Sequence, residues 1–264
     1  MSEHEHDEVS WTIEQTWAGV LFTLLPWLIF DLLLAIGAGL VSAPSIATQP
    51  KVFSLQQDIM NAVVALIVGT IGEGFFLMAP IYFARRTTHR LFTSETARWR
   101  MMLDALGFRR FAILHSLILI FVLFLGLIFV NALYSLIIIA FHLHIQTNDQ
   151  VVLDRGRVLP ITTYVTLAVA VFIAPICEEV FFRSFTLMGL RRGMPLALAI
   201  IVSALIFAIA HGDQASFPVL LVIGLTLALI RWRTHSIWPG ILLHTLNNAT
   251  SAVLIILSLH GLQL

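Results

Sequence analysis

The stretch "ITTYVTLAVAVFIAPICEEVFFRSF", residues 161–185, decides the fold. Residues 161–177 carry no charge; then Glu178 and Glu179 stand side by side, with Arg183 shortly after. An apolar run of this length belongs in hydrocarbon, where a carboxylate costs about 2.5–3.5 kcal/mol. Two adjacent carboxylates there demand a cation, hydration or a chemical task.

Outward from this run the rest of the chain reads the same way. Of its 264 residues 59% are hydrophobic and 11% charged, with mean hydropathy +0.94. A soluble domain carries about 25% charged residues. The reading is an all-α polytopic membrane bundle of about seven to eight transmembrane helices around a central intramembrane cavity. Seven apolar spans are predicted, over 17–42, 59–84, 111–141, 161–190, 195–211, 215–230 and 237–259. An eighth helix would arise if a long span broke, for instance at Pro26 or between Gly37 and Gly39. Net charge is zero, and nothing points to nucleic acid. The single cysteine, Cys177, excludes an internal disulfide framework and a cysteine-based zinc cage.

Basic residues set the orientation. Segment 85–110 holds Arg85, Arg86, Arg90, Arg98, Arg100, Arg109 and Arg110; placing it in the cytoplasm leaves only Lys51, Arg155 and Arg157 of 15 basic residues outside. The N-terminus is then cytoplasmic, and the expected location is the cell membrane of a prokaryote, with lipid as a partner. The division expected is a solvated cytoplasmic tail at 1–16, N-terminal transmembrane helices at 17–160 with the basic loop 85–110, and a catalytic core at 161–264. The basic loop is amphipathic, with Trp99, Met101, Met102, Leu103, Leu106 and Phe108, as suits an anionic leaflet.

Polar groups inside the spans carry the chemistry. Glu179 and Arg183 lie four apart on one helical face and can pair, whereas Glu178 sits about 100° away and is left less satisfied. His211 closes the fifth span in "FAIAHGD", and "HTLNN" places His244 and Asn248 four apart in the seventh. Each has a bland reading: a buried ion pair that fixes packing, an interfacial histidine, an interhelical hydrogen bond. Together they make a set able to hydrolyse. Glu178 and His211 would hold and deprotonate a water, and His244 with Asn248 would face a developing oxyanion. No cofactor is expected; the alternative is a zinc ion on Glu178, His211 and His244. The "HExxH" spacing of zinc proteases is absent.

Depth is the difficulty. In unbroken helices Glu178 would lie roughly 18 Å from its cytoplasmic end, His244 roughly 10 Å and His211 roughly 25 Å. The groups meet only if helices tilt, start at different heights or stop within the membrane.

"EEVFFR", Phe207 to His211, and His244 to Asn248, preceded by "HSIWPGILLH", resemble in order and spacing the EExxxR, FxxxH and HxxxN motifs of the CPBP family. This is the CAAX protease and bacteriocin-processing, or Abi, family of intramembrane endopeptidases. The resemblance runs from about Ala174 to Ala252. It implies an endopeptidase acting on membrane-tethered peptides or proteins, including prenylated CAAX-type substrates. By it Glu178 and His211 activate water, His244 and Asn248 form the oxyanion site, and Glu179, Arg183 and Phe207 support them. Ser184 stands where the family usually has glycine, and the sixth-span element reads Leu221 to Gly224. The alternative is a non-catalytic scaffold or bacteriocin self-immunity protein of the same fold. A transporter would show broken helices in matching halves, and the chain has no such symmetry.

Other polar residues read as packing. Cys177 is inert packing in an apolar run; Asp31 and Glu73 are read as packing, the alternative being that they line the cavity or pair with arginines. His115, His142, His144 and His260 lie at span ends, and His4 and His6 in the tail.

Overall fold

The computed structural model describes residues 11–41, 53–88 and 94–262, and among these there is no strand. The helices are α1 (Ile13–Val41), α2 (Leu55–Thr88), α3 (Glu95–Ala105), α4 (Ile113–Ala140), α5 (Asn148–Gly156) and α6 (Pro160–Phe172). They continue as α7 (Ala174–Glu178), a π-helical segment (Glu179–Leu187), α8 (Met188–Leu190), α9 (Leu196–Ala210), α10 (Phe217–Thr234) and α11 (Trp238–Leu259). Six stretches are long and apolar enough to cross a membrane, and α9 is a shorter apolar helix. The all-α membrane bundle expected from the sequence is therefore observed, with seven apolar elements at the predicted places. Residues 1–10, Lys51 and Arg90 lie outside the described residues.

Three details differ from expectation. First, α1 runs without a break through Pro26 to Val41; the break lies in the fourth span, where α6 ends at Phe172 and α7 starts at Ala174. Pro175 explains it, since it brings no N–H to continue the ladder. Second, the solvated tail of 1–16 does not extend to its inner end: Trp11 is fully buried, stacks on Phe185 at 5.3 Å and donates Nε1–H to the Phe185 carbonyl at 3.2 Å. Third, the basic loop is not all loop, because α3 is folded within it. Arg85 lies 5.4 Å over the Trp99 ring.

The site is positioned by the packing around α7 and the π segment. Phe76 of α2, Phe181, Phe182 and Phe185 of the π segment and Phe207 of α9 form its aromatic core. The wide turns of a π-helix disturb the regular carbonyl ladder; here the Phe182 carbonyl accepts from Ser203 Oγ of α9 at 2.9 Å, and that of Phe185 from Trp11. Ser184 Oγ donates to the Leu106 carbonyl, tying the π segment to the end of α3. Helices α9 and α10 come together at Gly224, where a Cβ would stand 3.0 Å from Ala204 Cα. Asp58 of α2 caps α6 from outside, accepting Ile161 N–H at 2.9 Å and Thr162 N–H at 3.0 Å. The many exposed large apolar side chains of α1, α2 and α4, such as Leu21, Leu114 and Phe129, form the surface that hydrocarbon would wet.

Candidate active site

Glu178 is the last residue of α7 and Glu179 the first of the π segment. The turn between them sends the two carboxylates to different partners. Glu179 Oε1 lies 3.2 Å from Arg183 Nη1 and accepts from His244 Nδ1, also at 3.2 Å. Glu178 Oε2 lies 3.9 Å from His211 Nε2 and 4.0 Å from His244 Nε2. The two carboxylates thus have different partners in space: Glu179 pairs with a cation, as helical spacing predicts, and Glu178 faces two imidazoles.

Burial strengthens these interactions. Glu179 is 0%, Arg183 1%, His244 3% and Glu178 8% exposed, while the His211 side chain is 29% exposed. The Arg183 guanidinium also sits 4.3 Å over the Phe207 ring, a cation–π contact that takes the place of some lost hydration. Phe207 packs at the same time on His211, ring centroids 4.4 Å apart, and on His244 at 5.9 Å. Gly240 leaves the space that Glu179 fills, since a Cβ there would stand 2.8 Å from Glu179 Oε2.

The ring nitrogens have distinct tasks. His211 Nδ1 lies 2.8 Å from the Phe207 carbonyl, which can only accept, so Nδ1 carries the hydrogen. In the neutral ring Nε2 then presents a lone pair toward Glu178. His244 Nδ1 likewise donates to the Glu179 carboxylate. Its Nε2 can therefore donate only when the ring is an imidazolium.

Asn248 is placed differently from the others. Its Nδ2 donates to the Ala170 carbonyl of α6 at 2.8 Å, so one amide hydrogen is spent on tying α11 to α6. Among the described residues no group of three or more His, Cys, Asp or Glu side chains is drawn together closely enough to hold a metal ion.

Outside the spans, two aspartates frame the end of α9. Asp213 is buried enough to raise its carboxyl, but the Ser216 hydroxyl and the backbone N–H groups of Ser216, Asn148 and Ala215 outweigh this and hold it below the usual range. Asp149 is pushed up by burial, with the nearby Asp213 charge adding to it and a Ser251 hydrogen bond opposing. The Asp213 bond to Asn148 N–H at 3.1 Å pins α5 beside the turn that carries His211.

Several participants escaped sequence reading. Gly240 and Ser203 act only through contacts with other helices, and Glu73, read as packing, buries its Oε2 without a hydrogen-bond partner among the described residues. The glycine-rich surroundings of Glu73 in "GTIGEGFF" were the one available signal.

With this geometry described, the chain's likeness to known proteins has a physical context. Residues 160–250 match the family model described as Type II CAAX prenyl endopeptidase Rce1-like. The chain is 30% identical over 101 residues, 38% of its length and 40% of the relative's, to a Bacillus subtilis (strain 168) protein named "Putative membrane peptidase YdiL". It is 34% identical over 143 residues, 49% of its length and 41% of the relative's, to a Mycoplasma capricolum subsp. capricolum protein named "Uncharacterized protein". The matches span about two fifths of the length of these relatives. No solved structure matches the chain.

Proposed function

We propose, from the match of residues 160–250 to the Rce1-like CAAX prenyl endopeptidase family model, that the chain hydrolyses peptide bonds of membrane-tethered substrates, prenylated CAAX-type proteins among them. The observation that carries this reading is the approach of Glu178 Oε2 to the Nε2 atoms of both His211 and His244, at 3.9 and 4.0 Å. A direct hydrogen bond is shorter than this, and one water fits between such groups.

The reaction follows from the donors and acceptors. A water held between Glu178 and His211 gives a proton to one of these two acceptors while its oxygen forms a bond to the scissile carbonyl carbon. The carbonyl π electrons move to oxygen, and the oxyanion faces the imidazolium N–H of His244 and the remaining Asn248 amide hydrogen. Collapse of this intermediate breaks the C–N bond, and the proton taken from water passes to the leaving amine. Glu179, held by Arg183, orients His244. No metal takes part in this scheme. The orientation proposed with it places the N-terminus and the 85–110 segment in the cytoplasm.

The test is cleavage of a panel of membrane-tethered peptides by the full-length protein in lipid bilayers. Glu178→Ala and His211→Ala are expected to lower kcat/KM at least about 100-fold each, and a strong chelator is expected to leave the wild type active. If wild type and both variants cleave nothing yet restore one cellular phenotype equally, the chain is a scaffold of this fold. Chelator inhibition reversed by added metal would overturn the metal-free scheme.

A further inference from the structure

Segment 85–110 holds seven of the chain's 15 basic residues against two acids, Glu95 and Asp104, and the proposed chemistry uses none of them. It joins two of the long apolar helices, so α3 lies where the chain leaves the hydrocarbon after α2 and re-enters it at α4. One face of α3 is seated on the bundle. Met102 and Leu106 are buried, the Leu106 carbonyl accepts from Ser184, and the Gly107 carbonyl accepts Ile237 N–H at 2.9 Å. The Ser236 hydroxyl donates to the Arg109 carbonyl at 2.8 Å. These bonds hold the connection between α10 and α11 at the same end of the bundle.

The outward face combines apolar and cationic groups. Trp99 and Leu103, four apart on α3, are 47% and 42% exposed. Arg100 is exposed about 100° around the helix from Trp99, and Arg110 is exposed just before α4. From the end of α2 the Arg85 guanidinium lies 5.4 Å over the Trp99 ring. The end of α10 repeats the pattern, with Arg233 4.7 Å over the Trp232 ring. Trp238, 46% exposed, meets Phe108 edge-on at 5.5 Å. Of the two acids, Asp104 is paired with Arg109 at 2.8 Å, so the face is strongly positive.

Two kinds of group must be covered together. Tryptophan, with an apolar body and a polar N–H, suits the level of the lipid headgroups. A guanidinium stacked on a ring keeps its planar fork of N–H donors, which fits phosphate oxygens. Apolar side chains of α2 and α4 on either side of the segment, Met78 and Ile113 among them, are exposed as well. Hydrocarbon therefore reaches the edge of this face. A bilayer leaflet with anionic phospholipid supplies both hydrocarbon and negative charge; a soluble acidic protein supplies the charge alone.

We propose that Trp99, Leu103, Arg85, Arg100, Arg110 and Arg233 form a binding surface for the headgroups of anionic phospholipids, which seats this end of the bundle in the interface. The inference is independent of the peptidase reading, since it concerns groups outside the candidate active site.

The experiment uses full-length protein in lipid bilayers, with Cys177→Ala and a fluorophore attached through Thr96→Cys. Thr96 is exposed and shares a helical face with Trp99, Arg100 and Leu103. Quenching by phosphatidylglycerol brominated in its acyl chains is compared with quenching by phosphatidylcholine carrying the same chains, which reports the local ratio of the two lipids. A preference for phosphatidylglycerol of at least about 10-fold over the bulk ratio is expected. The double variant Arg100→Gln, Arg110→Gln is expected to lower it at least about 5-fold, and salt at about 1 M to lower it in the unsubstituted face. Arg155→Gln, beyond the far end of α4, is expected to leave it unchanged. Equal quenching by the two lipids, or a preference that survives the double variant, overturns the inference. So does quenching by aqueous acrylamide with none by either lipid, which would make the face a solvated one. Displacement of phosphatidylglycerol by micromolar soluble polyglutamate assigns the face to an acidic protein partner and overturns it as well. The expected lipid ratios in a protein that cleaves no peptide sustain the headgroup surface and reject the peptidase reading alone.

Discussion

Arg183 shows how one side chain can carry several obligations at once. It is 1% exposed, pairs with Glu179 at 3.2 Å and lies over the Phe207 ring. Removing one partner of a buried ion pair leaves the other charge stranded, at a cost of about 3–5 kcal/mol. Arg183→Ala is expected to lose stability of that order, measured by equilibrium unfolding in detergent, and His244 loses its fixed carboxylate. Glu178→Ala is expected to unfold no earlier than wild type, since its Oε2 has no hydrogen bond to lose among the described residues. The contrast between these neighbouring acids was legible in the sequence, because a four-residue spacing to Arg183 selects Glu179 and not Glu178. The bond from Asn248 to Ala170 was not legible. An HxxxN spacing puts two side chains on one face but says nothing about a carbonyl on another helix.

Among the helices, the short and interrupted ones bring the site together. Helix α9 spans 15 residues, roughly 22 Å at 1.5 Å per residue, less than the roughly 30 Å hydrocarbon core. Its end therefore delivers His211 to Glu178 instead of carrying it past. The break at Ile173 and the π segment after it turn the fourth span at the two glutamates. Beyond the end of α9, Asp213 holds the turn to α10 and the start of α5. Its carboxyl is held below the usual range by those hydrogen bonds. The sign follows: a depressed carboxyl stabilises the fold above its unfolded value, and this contribution is lost as pH falls through the folded value, below about 3.9. Hydrogen exchange at the Asn148 and Ser216 amides, corrected for intrinsic rate, is expected to accelerate in that acid range. In Asp213→Asn the two amides are expected to be less protected at neutral pH, with a flatter profile.

Across the bundle, the distribution of charge and the single thiol make topology directly measurable. Cys177 is 6% exposed, so a cysteine-free background needs only Cys177→Ala. On that background a cysteine at Glu95 of α3 is expected to react with a membrane-impermeant thiol reagent only after the cells are opened. A cysteine at Asp154 of α5 is expected to react in intact cells. The reverse pattern would overturn the orientation read from the arginines.

Membrane class, helical architecture and the position of each apolar span were settled by the chain's own residues. Transfer of apolar side chains into hydrocarbon and the 3.6-residue repeat are local properties, and they act on every segment whatever its neighbours. The Glu179–Arg183 pair belongs with them, because both partners sit on one stretch of helix. The remaining features depend on contacts between helices far apart in sequence. These are the approach of His211 and His244 to Glu178, the hydrogen on His244 Nδ1, and the space that Gly240 leaves for Glu179. Helix tilt, height and interruption govern such contacts, and no sequence period encodes them. They were decided only when the helices packed.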